Sequence, residues 1–541
     1  MEQLTGLDAS FLYLETPSLH MHVSMAAVFD PSTVPGGYSF DKLRSLVGSR
    51  LARAPIFRRR LVEVPFRLGH PYWVDDPSFD IDYHMRRAAL PTPGGMAELG
   101  RFVGDVCSRQ LDRTKPLWEM YIVEGVRIDQ IAVVTKIHHS TIDGVSGAEL
   151  LAQLFDLEPD PPSAPVPAAG TGPGAEEALP SEAHLVGRAL AARVIKPVGV
   201  GRLMWRTGRA VLDVRRVRSR SSGRAALPLT TPRTSLNAAI TPHRSVAFSS
   251  ISLEDVKRLK RACGTTVNDV VLALCTGAVR RYLLEGDELP SDPLVATVPV
   301  SVAPEVGNRR GANKISAMFV ALPCQIEDPL ERLEAIRQGT KGAKEEHNAL
   351  GAAVLLDWAE HATPNVFSAA ARTYTRFKLA DHHRPIHSMI ISNVPGPDFP
   401  LYLAGAEMVA GFPLGPVMDG AGLNITVMSY RGVLNWGFMA CTENVPRTAA
   451  LAASVPGVLD ELLGAAGLAP ATPAGVASGV PEPTPRRRST DQAPGPAPRP
   501  AGDPAAGDPA AASAAGRRAA SGAGSRTRPA VAETGPARAG R

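Results

Sequence analysis

The chain has 541 residues, 44% of them apolar and 21% charged, with a formal net charge of +5. That length exceeds one ordinary core and allows two or three domains joined by linkers. The charge does not point to nucleic acid: ten arginines against five acids in residues 471–541 account for the whole excess, so the rest of the chain is balanced.

Taken in order, the start (Met1, Glu2, Gln3, Leu4, Thr5, Gly6) lacks the basic and apolar regions of a signal peptide. Residues 22–29 and 131–137 alternate as strands, and 41–54 has helical spacing. A helix is expected over 146–155, with Ala148, Leu150, Leu151, Leu154 and Phe155 on roughly one face. Residues 157–183 are rich in Pro, Ala and Gly and hold no aromatic residue, which suits an exposed linker. Residues 184–224 hold eleven basic residues and one acid, Asp213, mixed with large apolar residues such as Leu203 and Trp205. A pair of basic amphipathic helices fits, able to meet an anionic lipid surface or to serve as an inter-domain element with a solvated basic face.

Regular patterning resumes near Pro232. Strands are expected over 245–253, 294–302, 389–392, 423–429 and 433–439, and helices over 254–263, 267–285 and 451–463. From about Thr472 there is no Leu, Ile, Met or aromatic residue, so the tail cannot bury enough apolar surface to offset its chain entropy. The expected organisation is an N-terminal domain over 1–156, a linker with basic helices over 157–231, a C-terminal domain over 232–467 and a disordered tail over 468–541. No uninterrupted apolar run reaches the roughly 18–20 residues that span a bilayer. The cysteines (Cys107, Cys263, Cys275, Cys324 and Cys441) form no CxxC pair, which suits reduced thiols in the cytoplasm.

The most informative stretch is Lys136-Ile137-His138-His139-Ser140-Thr141-Ile142-Asp143-Gly144. Two histidines end a strand-like run, an aspartate follows four residues after the second, and a glycine and a helix come next. An alcohol is a weak nucleophile, so ester formation needs a base that takes its proton as the bond to carbon forms. Imidazole titrates near neutrality and suits that task. Asp143 can orient the turn, and Gly144 can adopt backbone angles closed to other residues. One shared metal ion is disfavoured, because neighbouring strand residues point to opposite faces.

His138-His139-Ser140-Thr141-Ile142-Asp143-Gly144 matches the HHxxxDG motif of the coenzyme-A-dependent acyltransferase superfamily. Further blocks narrow the resemblance to bacterial wax ester synthase/diacylglycerol acyltransferases. These are Leu7-Asp8-Ala9-Ser10-Phe11, Leu111-Asp112-Arg113 with Pro116-Leu117-Trp118-Glu119, Pro232-Arg233-Thr234-Ser235-Leu236-Asn237, Val267-Asn268-Asp269-Val270 and Ser392-Asn393-Val394-Pro395-Gly396-Pro397. The resemblance runs over about residues 4–465. Asn435-Trp436-Gly437-Phe438 stands where condensation domains and plant relatives carry a DFGWG-type block, without its leading Asp.

The resemblance implies an α/β fold of two chloramphenicol-acetyltransferase-like domains of similar topology meeting at a central tunnel. It makes His139 the general base and His138 its support, with Asp143 architectural. Pro116, Leu117 and Trp118 line or brace an acyl channel, or simply pack the core. Asn268 shapes the site and Asp269 is structural. Ser392 or Asn393 presents a donor to the oxyanion, or forms a plain turn.

The implied reaction takes a long-chain acyl-CoA to diacylglycerol, or to a long-chain fatty alcohol, with no metal, no cofactor and no nucleic-acid partner. The expected setting is cytoplasmic, peripheral to the inner face of the membrane or to lipid inclusions such as droplets. Two other readings remain: a non-catalytic lipid-surface protein, and an acyltransferase fed by a carrier protein. Arg309, Arg310 and Lys314 are candidates for coenzyme A phosphates, and Asp381, His382, His383 and His387 form a weak candidate metal loop. There is no GxSxG elbow, Walker A or dinucleotide fingerprint.

Overall fold

A computed structural model describes residues 1–51, 54–127, 129–141, 154–160, 226–301, 315–350 and 364–470, together with Gly187 and Trp205. In chain order the elements are β1 (Glu2–Gln3), α1 (Gly6–Leu14), β2 (His22–Asp30), α2 (Phe40–Leu51), β3 (Arg59–Val62), β4 (Tyr72–Asp75), α3 (Ile81–His84), β5 (Met85–Ala89), α4 (Met96–Cys107), β6 (Trp118–Arg127) and β7 (Gln130–His138). The second half holds β8 (Arg244–Ser252), α5 (Leu253–Cys263), α6 (Val267–Glu285), β9 (Leu294–Ser301), β10 (Ile315–Leu322), α7 (Pro329–Leu350), α8 (Pro364–Arg376), β11 (Met389–Val394), β12 (Tyr402–Leu403), β13 (Ala406–Leu414), β14 (Leu423–Tyr430), β15 (Val433–Cys441) and α9 (Thr448–Ala465). The expected helix over 146–155 and the basic segment over 184–224 lie almost wholly outside the described residues, as do Arg309, Arg310, Lys314 and the tail.

Two six-stranded sheets form the frame, ordered β12-β13-β2-β7-β6-β5 and β10-β9-β11-β14-β15-β8. Each centres on long apolar strands. Ala132, Val133 and Val134 of β7 are buried on both faces, as are Ile425, Thr426 and Val427 of β14. Such strands need cover on both sides, and α6 supplies it for the second sheet: Val270, Val271, Leu272, Ala273, Leu274 and Cys275 all lie in one core with Trp436 and Phe438. By length and composition α9 could cross a bilayer. Its Leu451, Val455, Val458 and Leu462 are instead buried in that core.

The halves exchange contacts. β13, from the second half, pairs antiparallel with β2, from Glu407 opposite Asp30 to Leu414 opposite Ser24. In return α4 lies on β8. A Cβ at Gly100 would stand 2.6 Å from the Val246 carbonyl oxygen, and one at Gly104 would stand 2.6 Å from that of Arg244.

The tightest approach is at Gly437, where a Cβ would lie 2.0 Å from the Pro413 carbonyl oxygen. Gly437 belongs to β15 of one sheet and Pro413 to β13 of the other, so absence of a side chain lets the sheets meet there. Gly437→Ala is expected to cost about 3 kcal/mol through forced backbone displacement. Chemical unfolding of the two proteins side by side measures this; an unchanged midpoint contradicts the close-approach account.

Candidate active site

The histidine turn grows out of β7, whose last residue is His138. Register with β2 sets His138 directly opposite His22. Backbone bonds then fix the exit of the strand. His138 N–H donates to Leu117 O (3.0 Å), His139 N–H to Met21 O (2.8 Å) and Thr141 N–H to His138 O (2.9 Å).

Beneath the strand, Lys136 is 1% exposed. Its ammonium donates to Val106 O and Arg109 O, both at 3.1 Å, at the C-terminal end of α4, and pairs with Glu119 Oε2 at 3.0 Å. A cation at helix-terminal carbonyls is favoured by the helix dipole.

The two histidines stand in different surroundings. His138 is buried. Its Nδ1 accepts the Ser140 backbone N–H at 3.1 Å and lies 2.7 Å from the Ser140 hydroxyl oxygen. That leaves the proton of the neutral ring on Nε2, which lies 3.8 Å from Glu15 Oε2. Burial pushes His138 down to about 3. His22, equally buried, is pushed down to about 4, with Nε2 3.4 Å from Glu15 Oε1. His139 is only half-buried, and the Phe11 ring of α1 stacks on it with centroids 4.1 Å apart and planes 22° apart.

Glu15 sits at the centre of this group. Burial alone would raise its carboxyl, but the close His22 ring, the His138 ring and the Arg113 guanidinium outweigh that and hold it at about 2. Because both imidazoles are neutral above pH 4, Arg113 is the cation that keeps the carboxylate ionised at neutral pH. Its Nη2 lies 2.6 Å from Glu15 Oε2 and 2.8 Å from Leu12 O.

Pro116, Leu117 and Trp118 are all buried. Leu117 packs with Leu4, Leu12 and Trp73. Trp118 opens β6 opposite Ile137, donates its indole N–H to Phe57 O at 2.8 Å, and stacks on His84 at 4.5 Å. The block thus holds the strand end that carries the histidines. Asp143 and Gly144 lie outside the described residues.

Asp269 closes a capping box at the start of α6. Its Oδ2 accepts from Thr266 N (2.9 Å) and Thr266 Oγ1 (2.7 Å), and its Oδ1 accepts from Thr340 Oγ1 (2.6 Å). Asn268, beside it, is half-buried on the first turn. Asp269→Ala is expected to cost about 2 kcal/mol of stability, from the lost cap and the lost tie to α7. The rate per folded molecule should stay within about twofold, measured by unfolding and by turnover under saturating substrate; a large rate loss in the folded variant contradicts a purely structural role.

Ser392 and Asn393 are half-buried near the end of β11, opposite Thr426 and Val427 of β14. The chain then turns, and Gly396 N–H donates to Ser429 Oγ at 3.1 Å. In the loop considered for a metal, Asp381 accepts from Ala239 N (2.8 Å), His383 bonds Tyr374 and Arg384 O, and His387 bonds Met389 O. These groups already have protein partners.

The family model of the wax ester synthase/diacylglycerol acyltransferase catalytic domain matches residues 4–271, and that of the WS/DGAT C-terminal domain matches residues 311–462. A Mycobacterium tuberculosis H37Rv protein, provisionally named a diacylglycerol O-acyltransferase, is 42% identical over 466 residues, covering 86% of this chain and 90% of its own length. This chain belongs to the wax ester synthase/diacylglycerol acyltransferase family. It is therefore an acyl-CoA acyltransferase. Another H37Rv protein with the same provisional name is 36% identical over 437 residues, covering 80% of this chain and 90% of its own length.

The solved wax ester synthase/diacylglycerol acyltransferase from Marinobacter aquaeolei VT8 superposes with a TM-score of 0.60 at 30% identity, over 86% of this chain and all of that one. The two-domain α/β fold expected from the motif is borne out by that match. In this family member the motif histidines stand on an ionic base, Glu15 with Arg113, that the motif does not contain. Glu15 follows the opening Leu7–Phe11 block by four residues, and His22 faces His138 only through strand register; neither carries a local signal of its role.

Proposed function

We propose that this acyltransferase moves a long-chain acyl group from coenzyme A to a lipid alcohol, with His139 as the general base. Diacylglycerol is the first acceptor, giving triacylglycerol; a long-chain fatty alcohol, giving a wax ester, is the second. The observation that carries the assignment is the contrast between the paired histidines. His138 is sealed, accepts its own turn's N–H and is pushed to about 3 by burial, so it cannot take a proton from a substrate near neutral pH. His139 is half-buried and held by a backbone bond and by the Phe11 ring.

In the proposed reaction the acceptor hydroxyl meets His139, which takes its proton as the oxygen attacks the thioester carbonyl. The tetrahedral intermediate collapses, the carbon–sulfur bond breaks, and the imidazolium returns the proton to the coenzyme A thiolate. Ser392 or Asn393 donates to the oxyanion, a contribution typically of roughly 3–4 kcal/mol. No cofactor takes part in this sequence, since acyl-CoA is a substrate. A water-insoluble acceptor places the work at the cytoplasmic face of a membrane or at a lipid inclusion.

Labelled palmitoyl-CoA offered against diacylglycerol and against hexadecanol, with products separated by thin-layer chromatography, tests the reading. Labelled triacylglycerol, alone or with wax ester, supports it. Absence of both products from folded protein overturns it.

A further inference from the structure

Helix α8 has two apolar faces. The inner one lies on α1, where Phe367 meets the Tyr13 ring edge-on at 6.4 Å and Pro364 and Ser368 are buried. The outer one is exposed. Val366, Ala369, Ala370 and Thr373 form a stripe at helical spacing that runs on to Phe377. Val366 is 68% exposed and Phe377 62%.

Cations border the stripe. Arg372 and Arg376 run along one side of it, with the Arg376 guanidinium 6.0 Å from the Phe377 ring centroid, and Lys378 follows. No acidic residue occurs between Pro364 and Ala380.

At the start of α8, Asn365 Nδ2 donates to Phe66 O at 2.9 Å and so ties a second exposed element to this face. Phe66 and Arg67 take left-handed backbone angles, with φ of 56° and 52°. That region is unfavourable for a bulky side chain. The strain is not offset by packing of the ring, because Phe66 is 82% exposed.

We propose that the outer stripe of α8 and the Phe66 turn form a docking face for an anionic phospholipid surface. Phe66, Val366 and Phe377 enter the boundary between headgroups and acyl chains, and Arg67, Arg372, Arg376 and Lys378 sit at the level of the phosphates. Charge decides between lipid and a second copy of the chain. A two-fold dimer through this face would set its own cations against one another, with Glu63, paired to Arg67 at 3.1 Å, as the nearby anion.

The face also borders an opening. A pocket of about 470 Å³, part of it open to solvent, is lined by residues including Tyr13, Glu15, Arg67, Arg113, Ser368 and Arg372. It runs from the docking face to the carboxylate that stands against His22 and His138. Docking there brings lipid to an opening behind the histidine turn. Only this last step rests on the proposed lipid acceptor; binding to the surface is independent of turnover.

The test uses the full chain with vesicles of phosphatidylcholine, with and without phosphatidylglycerol. Wild-type protein is expected to float with vesicles containing phosphatidylglycerol and more weakly with phosphatidylcholine alone. Phe66→Trp should gain a blue-shifted emission, relative to wild type, that brominated acyl chains quench. Combined Phe66→Ser, Val366→Ser and Phe377→Ser should lower partitioning roughly 100-fold or more, by loss of three apolar side chains from the boundary, and leave the unfolding midpoint nearly unchanged.

No flotation of wild type overturns the proposal. So does added emission in the Phe66→Trp variant that is neither shifted nor quenched on floated protein, or a triple variant that floats like wild type. A triple variant that dissolves a dimer in lipid-free sedimentation shows a protein interface instead, and also overturns it. Docking without triacylglycerol or wax ester formation sinks the proposed acceptor and leaves the docking face standing.

Discussion

His139→Ala is expected to lower acyl transfer by roughly 10²–10⁴-fold while the fold stays intact, the range typical for loss of a general base. The side chain is half-buried and stacks on Phe11, so its removal leaves a modest gap beside α1 and no stranded charge. The backbone bond from His139 N–H to Met21 O survives the substitution. Coenzyme A release in single turnover, with saturating diacylglycerol, separates the chemical step from acceptor binding. His138→Ala makes the informative comparison. It removes the acceptor for Ser140 N–H and a buried ring beside His22 and Glu15, so it should cost stability as well as rate. A folded His139→Ala protein with wild-type turnover would remove the base from the mechanism altogether.

Sequence patterning was sufficient for the elements that carry strong periodicity. The strand expected over 131–137 is β7 less its two end residues, and the helix expected over 267–285 has those same bounds. Terminal residues differ where caps decide: α5 begins at Leu253 because Ser252 Oγ accepts from Asp255 N. Elements with interrupted patterns were not legible. β13 contains Gly411 and Pro413, which break a strand signal, yet it pairs along β2 and carries the second half into the first half's sheet. α7 contains Gly339 and Gly342, which weaken a helical one.

The site divides in the same way. His138 and His139 announce themselves by adjacency, and the structure sets them apart by burial, a property that spacing does not encode. Asp269 is visible in sequence as the third residue after Thr266, and its capping-box bonds follow from that spacing. Glu15 is not visible at all. Its importance comes from the fold bringing α1, β2, β7 and the Arg113 loop to one buried point. In sequence, Asn435, Trp436, Gly437 and Phe438 stand where condensation domains and plant relatives carry a DFGWG-type block, without its leading Asp. In the structure Trp436 and Phe438 fill the second core, and Gly437 admits the neighbouring sheet.

The same buried cluster should make the protein labile to acid well above the range where carboxylates titrate. His22 and His138 have folded values near 4 and 3 against an ordinary 6.5, because burial opposes the charged ring. Between those values and 6.5 the unfolded chain binds more protons than the folded one, so stability falls as pH falls. Each unit below 6.5 costs about 1.4 kcal/mol per histidine, which gives about 2 kcal/mol each at pH 5. Glu15 adds to the loss only below 4.5, as its carboxylate, held at about 2 in the fold, gives up its pairing with Arg113. Urea unfolding at pH 7 and pH 5 should therefore show a drop of about 4 kcal/mol, against a domain stability commonly of only about 5–15 kcal/mol. His22→Gln should remove about half of that drop, because glutamine has no proton to gain. Equal stability at the two pH values, or an unchanged drop in His22→Gln, would mean that the ring opposite His138 already carries its charge in the folded protein.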